Sequence, residues 1–158
     1  MAALAKEIGF SVPANYNASR LLWDNLATNN QRQAILSDNG NFTYGQLAVE
    51  AAKIGNALLQ AGCKPRDRIL LFLNDEPAYP AAIMGALRAG FVPVLINTLT
   101  PSDLIGYCLE DSKATAAVVS KDHAELFTRE AITGTACHTV IVSAATQPWV
   151  MMESELAE

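Results

Sequence analysis

Apolar residues follow two patterns along this chain, one with the period of an α-helix and one without interruption. The helical period is clearest at positions spaced alternately by four and three residues: Leu47, Ala51, Ile54, Leu58 and Ala61. Thr43 and Gln46 precede this stretch as a capping box, in which the threonine side chain accepts a hydrogen bond from the backbone at the third helical position. Gly62 follows it as a helix terminator. The pattern predicts a long amphipathic helix that begins just after Thr43.

Short uninterrupted apolar runs alternate with helical segments from residue 68 onward. Such runs predict buried strands of a sheet that is covered on both faces. They fall at residues 69–73, 92–96, 114–120 and 138–143. The segments between them predict helices over 74–89, 101–111 and 121–129. Strands that alternate with helices are typical of an α/β fold, in which helices flank a mainly parallel sheet.

The connection into the second of these strands has a clear physical basis. Arg88 lies in the predicted last helical turn, where a cation favours the negative end of the helix dipole. Gly90 follows at the position where a helix end requires a residue that tolerates positive φ. The run 92–96, rich in β-branched residues, then predicts a buried strand.

Smaller elements are predicted before the long helix. Residues 1–17 form an extended lead-in, and Ser19 is placed to cap a helix over 20–29. A short strand at 34–36 leads into the turn signal Asp38–Asn41, after which the chain returns as a hairpin. The sequence thus divides into the lead-in, an α/β subdomain over 18–145 with a short N-terminal hairpin, and a tail.

The tail, residues 146–158, has no periodic pattern, and we expect it to be mobile. Trp149 stands in this polar stretch together with Met151 and Met152. A large aromatic side chain in such a setting predicts docking on another segment.

Composition narrows the functional classes. The chain has 158 residues, 51% of them hydrophobic and 17% charged, which is typical of a globular protein with a sizeable core. Its net charge of −5 argues against binding to nucleic acids or anionic membranes. No apolar run approaches the roughly 20 residues of a membrane span, and the N-terminus does not resemble a signal peptide. We therefore expect a cytoplasmic protein.

Cysteine and histidine, which often act in catalysis or metal binding, are present but do not have the spacing of known motifs. Cys63, Cys108 and Cys137 are widely spaced and odd in number, which favours free thiols in a reducing compartment over a disulfide framework. His123 and His138 do not have the spacing of metal ligands, and we expect them to lie on the surface or at strand edges. The sequence therefore predicts no metal site.

Motifs of nucleotide sites and of nucleophilic catalysis are also missing. The chain contains neither G-x-G-x-x-G nor G-x-x-x-x-G-K-[ST], and no G-x-S-x-G. Asp75-Glu76 would repel a phosphate at the start of the helix that follows, but they favour its dipole. Glu110-Asp111 are sequence neighbours whose side chains point apart on a helix, which is unsuitable for an acid–base pair. We assign no catalytic, cofactor-binding or metal-binding residue to this chain.

Four segments nevertheless form a recognisable series. They are F-T-Y-G-Q-L at 42–47, G-C-K-P-R-D-R at 62–68, G-A-L-R-A-G-F-V-P-V-L-I-N at 85–97, and L-E-D-S-K followed by A-V-V-S within 109–120. In this order they resemble the leading part of the acyl-adenylate-forming superfamily, the acyl- and aryl-CoA ligases. Arg66 stands where that superfamily usually has glycine. The lead-in at 10–17 and Asn97-Thr98-Leu99 are similar to the benzoate and aminobenzoate branch.

This resemblance implies an activity for a longer parent protein. The parent would be an AMP-forming acid–CoA ligase for an aromatic acid such as benzoate. Its substrates would be the acid, MgATP and CoA, with an acyl-adenylate formed before transfer to the thiol. In that superfamily the phosphate loop, the acid near magnesium, the ribose-binding aspartate and the catalytic lysine all lie downstream of the matched region. Some relatives also place a basic residue for the CoA nucleotide where this chain has Leu99. The resemblance therefore implies that this chain is a scaffold without catalytic residues, in which Gly90 and Pro93 have structural roles.

Two other interpretations stay open. The chain could be a stand-alone α/β binding module, or an unrelated flavodoxin-like protein that binds nucleotides with measurable affinity. If the chain is an N-terminal fragment, apolar surface that later segments normally cover is bare, and we expect homodimers through that surface.

Overall fold

The structure is a computed structural model that describes residues 13–38, 40–143 and 150–151. Its strands are β1 (Gln33–Ile35), β2 (Phe42–Thr43), β3 (Arg68–Phe72), β4 (Val92–Leu95), β5 (Ala114–Ser120), β6 (Thr139–Ser143) and β7 (Val150–Met151). Its α-helices are α1 (Arg20–Trp23), α2 (Leu26–Asn29), α3 (Tyr44–Gln60), α4 (Ala78–Arg88), α5 (Ile105–Ser112) and α6 (Arg129–Ile132). Two 3₁₀ helices cover Ser102–Leu104 and Lys121–Leu126.

The main sheet has the strand order β4-β3-β5-β6-β7, and its first four strands run parallel. Helix α4 connects β3 to β4 along one face. The chain then crosses back through α5 on the other face and places β5 on the far side of β3. Strands β1 and β2 form a separate antiparallel hairpin. This arrangement confirms the predicted α/β fold with a mainly parallel, helix-flanked sheet and a short N-terminal hairpin.

Alternate residues of β3 pack into different cores, because neighbouring side chains of a strand point to opposite faces. Ile69 and Leu71 lie under α3 and α4. Leu70 and Phe72 lie under α5 and the segment that follows β5. All four side chains are fully buried, as expected for a central strand in a doubly covered sheet.

Helices α3 and α4 cross at very short distance. A Cβ atom on Gly85 would overlap the Ala51 carbonyl oxygen and Ile54 Cγ2. A Cβ on Gly55 would lie 2.9 Å from the Gly85 carbonyl oxygen. Only residues without a side chain fit at this crossing, which explains glycine at the start of the segment 85–97.

The prediction that residues 92–96 form a buried strand was wrong in its burial. Strand β4 lies at the edge of the sheet, and Val92 and Leu95 are 47% and 50% exposed. The apolar run resembles that of β3, but the crossover through α5 places β5 on the far side of β3, so that β4 pairs with β3 alone among the described residues.

The predicted capping box and the helix ends at Gly62 and Gly90 are confirmed, whereas the predicted turn at Asp38–Asn41 includes a residue outside the described ones. Thr43 Oγ1 accepts from the Gln46 backbone N–H at 3.2 Å, and Gln46 Oε1 accepts from the Thr43 N–H at 2.9 Å. Gly62 and Gly90 have φ values of +88° and +86°. Arg66 has φ +79°, so it adopts the left-handed conformation at the position where glycine is usual in the resembling family.

The predicted helix over 20–29 is divided into α1 and α2, and Ser19 does not cap it. Ser19 is buried, and its Oγ has no hydrogen-bond partner. Asn17 acts instead: its Oδ1 accepts from the Ser19 N–H at 2.9 Å, and its Nδ2 donates to the Leu87 carbonyl at 2.7 Å. The asparagine thus joins the start of α1 to the end of α4.

Three other helices differ from their predicted bounds. The helix predicted from residue 74 begins at Ala78, because the preceding loop turns towards β5. The helix predicted over 101–111 opens with a 3₁₀ turn. The one predicted over 121–129 is a 3₁₀ helix that ends at Leu126 and is followed by α6.

Strand β7 was not predicted; it lies within the expected tail and pairs antiparallel with β6. The rest of the tail, including Trp149, lies outside the described residues, as do residues 1–12 of the lead-in. Within the described part of the chain, no helix has the length and apolar character needed to cross a bilayer.

Candidate functional site

The carboxyl ends of β3, β4 and β5 meet at one edge of the sheet, which is where doubly wound folds bind ligands. The favoured position is the crevice between two neighbouring strands whose following connections leave in opposite directions. In this sheet those strands are β3 and β5. The crevice between them is therefore the first candidate site.

Four polar residues meet at this crevice: two from the loop after β3, the last residue of β5 and one from the 3₁₀ helix that follows it. The Asn74 backbone N–H donates to Ser120 Oγ at 2.9 Å, and Ser120 Oγ donates to Glu76 Oε1 at 2.7 Å. His123 Nε2 lies 2.8 Å from Asn74 Oδ1. Because an amide oxygen only accepts, Nε2 carries the proton in this contact. The loop after β3 thus makes two hydrogen bonds to the last residue of β5 and one to the 3₁₀ helix that follows β5.

Aromatic rings pack against the imidazole of His123 in this network. Phe72, the last residue of β3, meets the His123 ring edge to face, with centroids 5.2 Å apart and planes at 83°. Its other neighbour is Phe127, with a centroid separation of 5.6 Å. Phe72 and Phe127 are fully buried, so the imidazole of His123 is oriented by packing as well as by hydrogen bonding.

A groove of about 320 Å³ lies beside this crevice, between the ends of β3 and β4. It is lined by Leu73, Asn74, Asp75, Tyr79, Leu95, Ile96, Asn97 and Thr98. Desolvation, followed by the charge of Asp75, raises the pKa of the Tyr79 hydroxyl. This hydroxyl therefore stays protonated at neutral pH and can donate hydrogen bonds. Leu99, at the position that is basic in some relatives, is 86% exposed and brings no charge to the groove.

A larger cavity, about 610 Å³, lies between α5 and α6. Its lining includes the carboxylates of Asp103, Glu110, Glu125 and Glu130. However, no group of three or more histidine, cysteine or acidic side chains could hold a metal ion anywhere in the described residues. The arrangement is that of a solvated acidic surface.

The buried cysteines are unsuited to act as nucleophiles. Burial raises the pKa of the Cys137 thiol to about 11, and burial also raises that of Cys63. Both thiols are therefore protonated at neutral pH, whereas a nucleophilic cysteine needs its thiolate form. Cys108 is partly buried on α5 and is likewise a free thiol.

The segments that carry the family resemblance contact one another at the opposite, amino-terminal edge of the sheet. The Arg66 N–H donates to the Gly90 carbonyl at 2.8 Å. The Arg68 guanidinium donates to the carbonyls of Ser112 and Lys113, at 2.7 and 3.1 Å, where α5 ends. These residues hold strands and helices together at the edge away from the candidate site.

The structure brings together residues that the sequence patterns did not connect. Glu76 was predicted only to favour the helix dipole, and His123 was predicted to lie on the surface or at a strand edge. Both belong to the network at Ser120. The only sequence signal for it is a serine that ends the apolar run 114–120. The assignment of no catalytic, cofactor or metal residue stays a prediction.

Comparison with known proteins was consistent with this geometry. The AMP-binding enzyme family matches residues 22–157. A benzoate–CoA ligase of Thauera aromatica is 37% identical over 119 residues, which make up 73% of this chain and 23% of that ligase. A 3-hydroxybenzoate–CoA ligase of Aromatoleum sp. is 34% identical over 95 residues, 60% of this chain and 18% of that protein.

Solved structures agree with the sequence relatives. A benzoate CoA ligase from Burkholderia xenovorans LB400 superposes with a TM-score of 0.75 at 34% identity, covering 85% of this chain and 27% of that one. An anthranilate CoA ligase, AuaEII, gives a TM-score of 0.76 at 27% identity, over 83% and 25% of the two chains. The chain therefore spans about a quarter or less of the length of these relatives. With its motifs, fold and family match in agreement, the chain belongs to the AMP-binding enzyme family and corresponds to its N-terminal region.

Proposed function

We propose that this chain is the N-terminal part of an ATP-dependent, AMP-forming CoA ligase that acts on benzoate or a related aromatic acid. The observation that carries the proposal is the 37% identity to a benzoate–CoA ligase, spread over 73% of the chain. Relatives named for 3-hydroxybenzoate and anthranilate support an aromatic carboxylate as the substrate class. The chain itself would serve as a scaffold, and the whole protein would use MgATP and CoA in the cytoplasm.

The charges of the loops at the carboxyl edge of the sheet are unfavourable for binding a nucleoside triphosphate there. Asp75, Glu76 and Asp122 bring three carboxylates to the loops at the carboxyl edge, against the single cation of Lys121, whereas a phosphate favours cations and free backbone N–H groups. The Asn74 N–H already donates to Ser120. This supports the view that residues outside this chain bind MgATP, and we assign no reaction step to the side chains described here.

Activity measurements on two proteins test the proposal. The purified 158-residue chain should show no benzoate-dependent exchange between ATP and pyrophosphate. The product of the same reading frame, extended through any sequence that follows Glu158, should convert benzoate, ATP and CoA into a CoA thioester and AMP. Exchange by the short chain would contradict the scaffold role. An extended product active only on aliphatic acids would contradict the aromatic substrate.

The exposed apolar surface leads to a second expectation, that the isolated chain forms homodimers. Several exposed large side chains lie in the stretch from β4 to the start of α5, namely Val92, Leu95, Leu99, Leu104 and Tyr107. In the proposed parent, later segments would cover this surface. Light scattering over a range of concentrations should show dimers that are lost in a Leu99→Ser/Tyr107→Ser variant. A chain that stays monomeric at all concentrations would refute this expectation.

A further inference from the structure

The crevice between β3 and β5 is closed by the protein's own side chains. In a doubly wound sheet this is the place where loops separate and a ligand enters. Here Asn74, Glu76 and His123 reach across it, and Ser120 lies at their centre. The contacts join residues that are 44 to 49 positions apart in the sequence. They therefore fix the position of one loop relative to another rather than the shape of a single loop.

Ser120 is the residue on which the closure depends. It is only 2% exposed, so its hydroxyl must find partners within the protein. The hydroxyl accepts from Asn74 and donates to Glu76, so one oxygen atom connects the end of β5 to two residues of the other loop. His123 adds an independent contact to the Asn74 side chain. Loss of the hydroxyl would leave the Asn74 N–H and the Glu76 carboxylate without these partners.

The same loop forms one wall of the neighbouring groove. Asn74 and Asp75 line that groove between β3 and β4, opposite Asn97 and Thr98. A loop that is fixed on the β5 side therefore presents a fixed surface on the β4 side. In this way the closed crevice and the open groove are two consequences of one set of hydrogen bonds.

We propose that Ser120 is a positioning residue that latches the Asn74–Glu76 loop to the end of β5, so that the crevice between β3 and β5 is closed while the neighbouring β3–β4 groove is open. The latch is a property of this chain alone and does not depend on the proposed ligase activity. It also argues against the flavodoxin-like interpretation, because the crevice such a protein uses for its nucleotide is filled here.

Amide hydrogen exchange of the 158-residue chain, followed residue by residue by NMR, tests this latch. Ser120→Ala removes the central hydroxyl, and Glu76→Ala removes one of its partners. Ser112→Ala is the matched control, because the Ser112 hydroxyl donates only to carbonyls of its own helix, at 2.6 and 3.3 Å. Glu76→Gln is a second control, since its amide oxygen can still accept from Ser120.

The expected result is local. Exchange at Asn74–Glu76 and at Lys121–His123 should accelerate by roughly tenfold in Ser120→Ala, the effect of losing one or two buried hydrogen bonds. Glu76→Ala should accelerate exchange at the same amides, whereas Ser112→Ala and Glu76→Gln should match the unmodified chain there. If Ser120→Ala does not fold, the pair Glu76→Ala and Glu76→Gln decides alone.

Two outcomes would overturn the latch. In one, exchange at Asn74–Glu76 is the same in Ser120→Ala as in Ser112→Ala, which means that the hydroxyl does not hold the loop. In the other, acceleration is uniform across Leu70–Phe72 and Ala116–Val119 as well, which means that Ser120 supports the whole fold rather than this loop.

Discussion

Strands β3 and β4 have similar sequences and very different surroundings. Both are short runs of large apolar residues, and they lie side by side in parallel with Leu71 opposite Leu95. Leu71 is fully buried, whereas Leu95 is 50% exposed. The difference arises because β3 has a neighbour on each side, whereas β4 pairs only with β3 in the part of the chain that the structure describes. Apolar sequence alone therefore indicates a strand but not its place in the sheet.

Pro93 gives a physical reason why β4 can remain at the edge. The N–H groups of Val92 and Ile96 point towards β3, as their bonds to Asp67 and Leu71 show. Position 93 therefore faces away from the sheet, and proline has no N–H to offer there. Proline at an edge strand in this orientation costs no ladder hydrogen bond and discourages pairing with a further strand.

The largest contrast should appear on truncation of the two paired leucines. Leu71→Ala should lower the free energy of unfolding by about 3 kcal/mol, because it leaves a cavity in a closely packed core. Leu95→Ala should lower it by about 1 kcal/mol or less, since half of that side chain already contacts water. Urea denaturation measures both. Equal losses in the two variants would mean that β4 is covered in solution.

The next largest effect concerns the packing of α4, which connects the two strands. Gly85→Ala should destabilise the chain by about 2 kcal/mol, because the added methyl group meets Ala51 and Ile54 of α3. Gly106→Ala on α5 is the control, where the nearest atom would lie 3.1 Å away and the loss should stay under about 1 kcal/mol. Thermal unfolding compares them, and a stable Gly85→Ala chain would refute the close crossing.

The turns that lead into β3 and β4 each have a residue at positive φ shortly before the strand. This residue is Arg66 before β3 and Gly90 before β4. Gly90→Ala should cost about 1–2 kcal/mol, because a Cβ atom disfavours the left-handed conformation. Arg66→Gly should instead stabilise the chain by about 0.5–1 kcal/mol, since it relieves that conformation at φ +79°. Chemical denaturation of both variants provides the test. A destabilised Arg66→Gly chain would show that the arginine side chain contributes more than its backbone conformation costs.

The smallest change in stability, about 0.5 kcal/mol or less, is expected for Pro93→Val. Its main effect should be on association, because a restored N–H would face outward at the sheet edge. We expect sedimentation equilibrium to show more self-association than in the unmodified chain. Pro101→Val, outside the strand, should leave association unchanged. If neither substitution alters association, Pro93 does not protect this edge.

Much of the fold could be predicted from local patterns. Apolar runs located the strands of the parallel sheet, and the Thr43–Gln46 pair located the start of α3, because these signals depend on residues close in sequence. The order of the strands depends on the face of the sheet along which each crossover runs. An apolar run such as 92–96 does not indicate that face. Within that run, only Pro93 indicates an edge strand. This indication can be interpreted only with the structure, in which the backbone nitrogen of residue 93 faces away from β3.

The candidate site was harder to predict for the same reason. Ser120 contacts Asn74 and Glu76 across more than forty residues, and no local pattern connects them. Ser19 shows the reverse case. Its residue type favours a helix cap, but Asn17 occupies that role because it can also reach the end of α4.

During synthesis on the ribosome, the strand order exposes β3 for an extended period. Arg68–Phe72 leaves the exit tunnel before Val92–Leu95, and its second neighbour, Ala114–Ser120, follows later still. Until that third strand arrives, β3, whose residues 69–72 are fully buried in the complete sheet, is itself an open edge. A nascent chain halted before Ala114 would therefore be a substrate for chaperones and prone to aggregation, whereas one that has passed Ser120 has enclosed its central strand.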